Sequence, residues 1–414
     1  MHKLPKKNIV AGVDIGSTKV AVLVGEITSH GYLEILGVGE CQASGLRRGV
    51  IVDIEHTSRA VQAAAEQAER MSGVQLHTVY AGLTGPHITS MGNRGVVAVS
   101  SPDKEISIED VNRVLDASRV ISLPGDKRII HVLSREFVVD GYDGVVDPVG
   151  MSGSRLEVET HIVTASAAAV QNLLKSIQRA GLSVAELVLN PLASAEAVIL
   201  PAEKELGVAL ADIGGGTTEI ALFDRGGMCF TSVLPVGGEH ITSDLAVGLR
   251  TPLQYAEKIK RENGCVLASL MPDTADIDVE TIGLQQWRKV SRKTVASIIE
   301  PRVQEIFALI KHEMKKSGLK GMLPGGVVIT GGTALMDGFG NLAYEELSLP
   351  VRVGQPLHLG GLADMVSGPQ YATVVGLLQY AAKKGTGGAE AGEGPPWENV
   401  WLLIRNWVRN ILGA

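Results

Sequence analysis

The chain has 414 residues, too many for one small binding module and enough for two to four structural units of roughly 100–200 residues each. Lysine plus arginine total 38 against 45 aspartates and glutamates, a formal charge of -7 without a long basic run, which argues against a general nucleic-acid binder. Three scattered cysteines exclude a disulfide framework and a thiolate zinc site, while 49 glycines, against a usual share of ~7%, mark many backbone positions that go without a Cβ.

Only a short apolar run precedes Asp14, so no signal-peptide core is present, and no window offers 18 consecutive apolar residues; the expectation is a cytoplasmic protein. From Asn8, NIVAGVDIGSTKVAVLVGEI reads as two β-branched strands around a Gly/Ser/Thr turn, a hairpin. Residues 54–71 and 166–180 carry apolar positions at helical spacing and alternate with strand-like runs such as 78–83, an α/β order. Residues 85–162 differ, with a short helix near 108–118, strand-like runs at 129–133 and 137–139, and many Gly and Asp, and read as an inserted unit. From Gly207, GVALADIGGGTTEIALFDRGGMCFTSVLPVGG repeats the first hairpin with Asp212 in the place of Asp14, which predicts an internal duplication. Residues 241–317 read as largely helical, and 325–362 as strand, glycine turn, helix and strand. The composition then shifts at Ala381 to AKKGTGGAEAGEGPP, a flexible tether, so the globular body is expected to end near residue 382.

The two Asp-Ile-Gly turns suit phosphate. Glycine lets backbone N–H groups approach oxygen, hydroxyls add donors, and a carboxylate at a strand end can hold Mg2+ through water. The first turn is Asp14-Ile15-Gly16-Ser17-Thr18-Lys19, whose lysine can meet phosphate charge; the second is Asp212-Ile213-Gly214-Gly215-Gly216-Thr217. A third glycine turn, Gly331-Gly332-Thr333, follows an apolar strand and could lie flat against a base or ribose. Neither a Walker nor a Rossmann glycine motif occurs.

These three turns, with small-residue helices beginning near Asn190-Pro191-Leu192-Ala193 and Pro369-Gln370-Tyr371-Ala372, resemble the five motifs of the actin/DnaK-type ATPase superfamily. Within it, Gly45-Leu46-Arg47-Arg48-Gly49-Val50-Ile51, Phe137-Val138-Val139-Asp140-Gly141 and Asp147-Pro148-Val149-Gly150-Met151-Ser152-Gly153, continuing through Arg155-Leu156-Glu157, resemble the bacterial FtsA cell-division family from about Asn8 to the C-terminus. The resemblance implies an α/β, actin-like two-lobed fold with duplicated ribonuclease-H-like cores. Lobe 1 would comprise residues 1–83, 164–205 and 369–381, with an inserted α+β subdomain at 84–163. Lobe 2 would comprise 206–240 and 325–368, with a helical subdomain at 241–324, followed by a linker at 382–396 and an amphipathic helix at 397–414.

The resemblance further implies ATP and Mg2+ in the interdomain cleft. Asp14 and Asp212 would face Mg2+ and water, Ser17, Thr18, Lys19 and Gly214 to Thr217 the phosphates, and Gly331 and Gly332 the adenosine. Thr333 and Gly238 join the nucleotide-binding set, and Glu257 and Lys260 fall where ribose and adenine contacts lie. Asn190 and Asp212 are the candidate catalytic residues. Asn190 holds the position that orients the attacking water, and it is one methylene shorter than the usual Gln or Glu. Since roughly 1 Å of misplacement can cost about a hundredfold in rate, slow hydrolysis is expected.

The terminal WENVWLLIRNWVRNILGA holds three of the four tryptophans. At 100° per residue, Trp397, Trp401, Ile404, Trp407, Val408, Ile411 and Leu412 share an arc of roughly 140°, with Arg405 and Arg409 on its shoulder and Leu402 and Leu403 off it. About 24 Å of helix is short of the ~30 Å hydrocarbon core, so the segment is expected to lie in the membrane interface rather than cross it. The implied function is an ATP-binding, filament-forming tether. It would join FtsZ, through its C-terminal peptide docked near 241–324 beside Arg288, Arg292 and Lys293, to the cytoplasmic membrane at the septum, and recruit other divisome proteins. A pilus-assembly relative or a kinase of the same superfamily is the alternative.

Overall fold

The computed structural model describes residues 8–28, 31–272, 276–282, 287–319 and 323–384. Strands β1 (Ile9–Ile15) and β2 (Lys19–Ile27) form the first hairpin, with β3 (Leu33–Gln42) antiparallel to β2. A tight hairpin, β4 (Leu46–Arg47) and β5 (Val50–Ile51), leads into α1 (Ile54–Ser72). That helix starts where the Asp53 carboxylate accepts from His56 N and stops at left-handed Gly73. Strand β6 (Thr78–Leu83) returns parallel to β1.

The insertion follows as β7 (Thr89–Ala98), α2 (Ile108–Arg119), β8 (Lys127–Val139), β9 (Tyr142–Val145) and β10 (Arg155–Ser166). Its sheet runs β7-β10-β8-β9 and closes a separate small core around Val114, Leu115, Phe137, Leu156 and Val158. The runs at 129–133 and 137–139 are one strand, β8, because β10 pairs along its whole length, with shifts of register rather than a break.

Lobe 1 resumes with α3 (Ala167–Arg179), β11 (Ser183–Leu189), α4 (Asn190–Val198) and α5 (Pro201–Leu206). Lobe 2 opens with β12 (Val208–Ile213), β13 (Thr218–Asp224) and β14 (Gly227–Leu234), then α6 (Gly238–Leu249) and α7 (Leu253–Asn263). Next, β15 (Asp276–Glu280) and β16 (Trp287–Ser291) pair ahead of α8 (Arg292–Lys316). Residues 241–317 are largely helical as expected, and this short hairpin adds to them, with Val279 and Val290 buried, one from each strand. Strand β17 (Val327–Thr330), α9 (Phe339–Leu347), β18 (Val351–Val353), β19 (Leu359–Gly361) and α10 (Ala372–Lys384) complete the order.

The first sheet runs β11-β6-β1-β2-β3-β19 and the second β14-β13-β12-β17-β18. Reversed, the second repeats the first five strands of the first, β19 having no counterpart, with β6 parallel to β1 and β17 parallel to β12. The duplication of Asp14 and Asp212 is therefore a duplication of whole sheets. Two boundaries differ from the sequence reading. Strand β19, expected with lobe 2, lies parallel to β3 on the edge of the first sheet, where Gly361 sits so close that an added Cβ would come 2.4 Å from Ile35 O. Helix α10 continues past residue 382 because Lys383 and Lys384 reach back to Glu196 and Glu186. Among the described residues no helix is long and apolar enough to cross a membrane.

Several glycines serve packing. On Gly376 of α10 an added Cβ would meet Ala193 O of α4 at 1.8 Å, and on Gly39 of β3 it would meet Ala64 O of α1 at the same distance. Backbone rides on backbone there, which explains part of the glycine excess without any ligand.

Candidate functional site

Both Asp-Ile-Gly turns span four residues between paired strands and are closed by equivalent bonds, Gly16 N donating to Lys19 O at 2.9 Å and Gly214 N to Thr217 O at 2.9 Å. The turns meet face to face. A Cβ on Gly215 would come 2.3 Å from Thr18 Cγ2, and one on Gly216 2.5 Å from Ser17 Oγ. The lack of side chains at Gly215 and Gly216, read from sequence as room for a nucleotide, is required already by the opposite lobe.

The second turn is braced from behind. The first N–H groups of α6, on Gly238 and Glu239, donate to Gly214 O at 2.9 Å and Gly215 O at 2.8 Å, and Thr333 Oγ1 donates to Gly214 O at 2.9 Å. Gly331, at φ 88°, has no room for a Cβ, which would lie 2.5 Å from Asp212 Oδ1; Gly332 is open apart from Gln370 at 3.6 Å. Lys260 joins this brace: its Nζ donates to Gly238 O at 3.1 Å and Thr242 Oγ1 at 2.8 Å, and pairs with Glu257 at 2.6 Å. Glu257 and Lys260 are thus one ion pair fastened to the second turn.

Three carboxylates crowd between the lobes. Asp14 is pushed up to about 6, by burial first and then by the charge of Asp212. Among the described residues its one side-chain donor is the Asn190 amide, at 3.4 Å, and Asn190 Oδ1 is buried without a hydrogen-bond partner. Asp212 accepts from Ser194 Oγ at 2.6 Å and Thr373 Oγ1 at 3.2 Å, yet burial still raises its proton affinity. Glu219 lies directly across the hairpin from Asp212 and accepts from Thr84 Oγ1 at 2.5 Å and Thr217 Oγ1 at 2.7 Å. Burial and Asp212 push it up to about 8.

The sequence reading passed over Glu219, Ser194, Thr84 and Thr373. A signal existed for two of them: Glu219 is two residues after Thr217 on a strand, and Ser194 is four after Asn190 on a helix, so each shares a face with a residue already singled out. Lys19 has side-chain partners within its own lobe. Its ammonium sits 3.3 Å from Glu40 Oε2 and 3.7 Å over the Tyr371 ring, and Tyr371 OH also donates to Glu40 at 2.8 Å.

The residues fit a polyphosphate with a hard cation. Backbone N–H groups and hydroxyls converge from both turns, Asn190 Oδ1 is an unused acceptor, and the crowded carboxylates gain from a nearby positive charge. Among the described residues no group of three or more His, Cys, Asp or Glu could by itself hold a metal ion, so Asp14 and Asp212 would act through water, as suits Mg2+. Trp397, Trp401, Ile404, Arg405, Trp407, Val408, Ile411 and Leu412, with residues 385–396 of the linker, lie outside the described residues.

A duplicated α/β sheet with facing Asp-Ile-Gly turns defines the actin-like fold. Solved structures share it: the PilM-PilN type IV pilus biogenesis complex at TM-score 0.64 and 16% identity, covering 90% of this chain and 98% of that one, and MreB5 of Spiroplasma citri bound to ADP at TM-score 0.56 and 14% identity, covering 93% and 100%. Family models narrow this further: Cell division protein FtsA matches residues 209–376, and the SHS2 domain inserted in FTSA matches residues 85–164. The cell division protein FtsA of Pseudomonas aeruginosa is 43% identical over 99% of both chains, and that of Bacillus subtilis 42% identical over 91% of this chain and 84% of its own. The chain belongs to the FtsA family of cell-division proteins.

Proposed function

We propose that this FtsA-family chain binds ATP and Mg2+ between its lobes, assembles with itself into actin-like filaments, and tethers FtsZ to the cytoplasmic face of the membrane at the septum, where it recruits other divisome proteins. The nucleotide half rests on the facing turns and their three carboxylates. Ser17, Thr18 and the N–H groups of Gly215 and Gly216 offer donors for phosphate, with Gly214 closing the second turn and Lys19 adding charge nearby. Asp14 and Asp212 would hold Mg2+ through water, Gly331, Gly332 and Thr333 would lie against adenosine, and Glu257 and Lys260 would meet the ribose. The spare acceptor of Asn190 is suited to orient a water, but its short side chain is committed at its other end to Asp14, which favours slow turnover.

An apolar cluster supports a docking place for the FtsZ C-terminal peptide on residues 241–324. Val247, Leu253, Ile282 and Trp287 are exposed, Trp287 packs edge-on against Tyr255 at 5.9 Å, and Arg288 reaches back to Leu249 O at 2.8 Å. The membrane half rests on the tryptophan-rich segment 397–414, whose single copy would hold weakly while many copies on one filament would hold firmly. Liposome co-sedimentation of the full chain, with ATP and FtsZ, tests this. Sedimentation should fall to background on deleting 397–414 or on Trp401→Glu with Trp407→Glu, leaving ATP affinity unchanged; a truncated chain that sediments as well as the full one would sink the tether.

A further inference from the structure

Between the facing turns lies a third element that the roles above do not use, the turn Arg48-Gly49 joining β4 to β5. It is a two-residue hairpin turn with both φ values positive, 50° at Arg48 and 74° at Gly49, a geometry that favours Asn-Gly or Gly-Gly. Arginine adopts it only at a steric cost, as Arg225 and Arg250 do elsewhere in the chain. The turn is fixed to both lobes. Gly49 N donates to Ser17 Oγ at 3.2 Å, an added Cβ on Gly49 would sit 3.2 Å from Thr217 Cγ2, and one on Gly216 would sit 3.2 Å from Arg48 Cα.

The Arg48 side chain is exposed and, among the described residues, makes no hydrogen bond or ion pair. It lies near enough to Glu239, in the first turn of α6, to oppose the rise that burial imposes on that carboxyl. Its free charge therefore stands at the edge of the second turn, where α6 points its N-terminus. The lysine of the first hairpin, Lys19, is engaged by Glu40 and stacked on Tyr371. With Asp14 and Asp212 between the lobes, an incoming polyphosphate meets negative charge, and Arg48 is, among the described residues, an unengaged cation built against both turns.

We propose that Arg48 is a phosphate-binding residue whose guanidinium closes over the terminal phosphate of a nucleoside triphosphate and separates triphosphate from diphosphate. The inference rests on the nucleotide reading of the site. Calorimetric titration of the full chain with ATP and with ADP, each with Mg2+, tests it. Arg48→Gly, which removes the charge and relieves the backbone, should weaken ATP binding by about tenfold or more, the scale of one charge-assisted contact, and ADP binding by less than about threefold. Arg48→Lys should recover part of the loss, Arg47→Ala should bind both as wild type, and Arg48→Gly should melt no lower than wild type. Unchanged ATP affinity in Arg48→Gly, an equal loss for ADP, or an equal loss in Arg47→Ala overturns the assignment while leaving the nucleotide reading intact. A wild-type chain that binds neither nucleotide overturns both.

Discussion

The two Asp-Ile-Gly turns have the same length, the same closing hydrogen bond and an aspartate at the same place each, yet their surroundings differ. Asp212 is gripped by Ser194 and Thr373, its turn is held by α6 and Thr333, and Gly331 presses against it from the side. Asp14 has one long contact from Asn190, and across its hairpin stands Ala21, where the second hairpin places Glu219 opposite Asp212. The second turn is therefore the more heavily braced, and the first carries the less tightly bonded carboxylate and Lys19. A site that responds to its ligand needs such an asymmetry, since two rigid walls could not adjust and two loose ones could not position anything.

The largest test of that bracing is Gly331→Ala. A left-handed backbone with a Cβ forced onto Asp212 should cost about 3–5 kcal/mol, read by denaturant unfolding, while Gly332→Ala should cost less than about 1 kcal/mol. Equal losses at the two positions would break the comparison. Next is a matched removal of donors. Ser194→Ala leaves Asp212 without its 2.6 Å bond and should cost about 1–3 kcal/mol, whereas Asn190→Ala loses only a 3.4 Å contact and should cost under about 1 kcal/mol. A larger loss at Asn190 would mean that the first turn is the braced one.

The most diagnostic test, whose effect vanishes at low pH, concerns Glu219. Its proton affinity is raised on folding from 4.5 to about 8, so the folded chain holds a proton that the unfolded chain releases. Stability should therefore decline as pH rises from about 4.5 through about 8. Glu219→Gln, which keeps the acceptor for Thr84 and Thr217, should flatten that decline in thermal midpoints measured across the range. An unchanged slope would assign the coupling to Asp14 or Asp212 instead.

Sequence alone was enough for the features whose physics is local. Alternating β-branched runs around Asp-Ile-Gly gave both hairpins, helical spacing gave α1, α2 and α3, and repetition of the motif announced the doubled sheet. Other features depended on residues far apart in the chain. The hydrogen bond from Thr84 to Glu219 spans 135 positions, Tyr371 and Lys19 meet at Glu40 only because α10 packs under the first sheet, and β19 joins β3 although it follows lobe 2 in order. Periodicity and turn chemistry report which face of an element is buried, but not what it is buried against. The same limit explains the glycines. Their number pointed to close approach, and only tertiary packing decided that Gly215 and Gly216 first admit the opposite turn, and Gly376 and Gly39 a neighbouring backbone, because steric exclusion acts between surfaces that the chain brings together only when it folds.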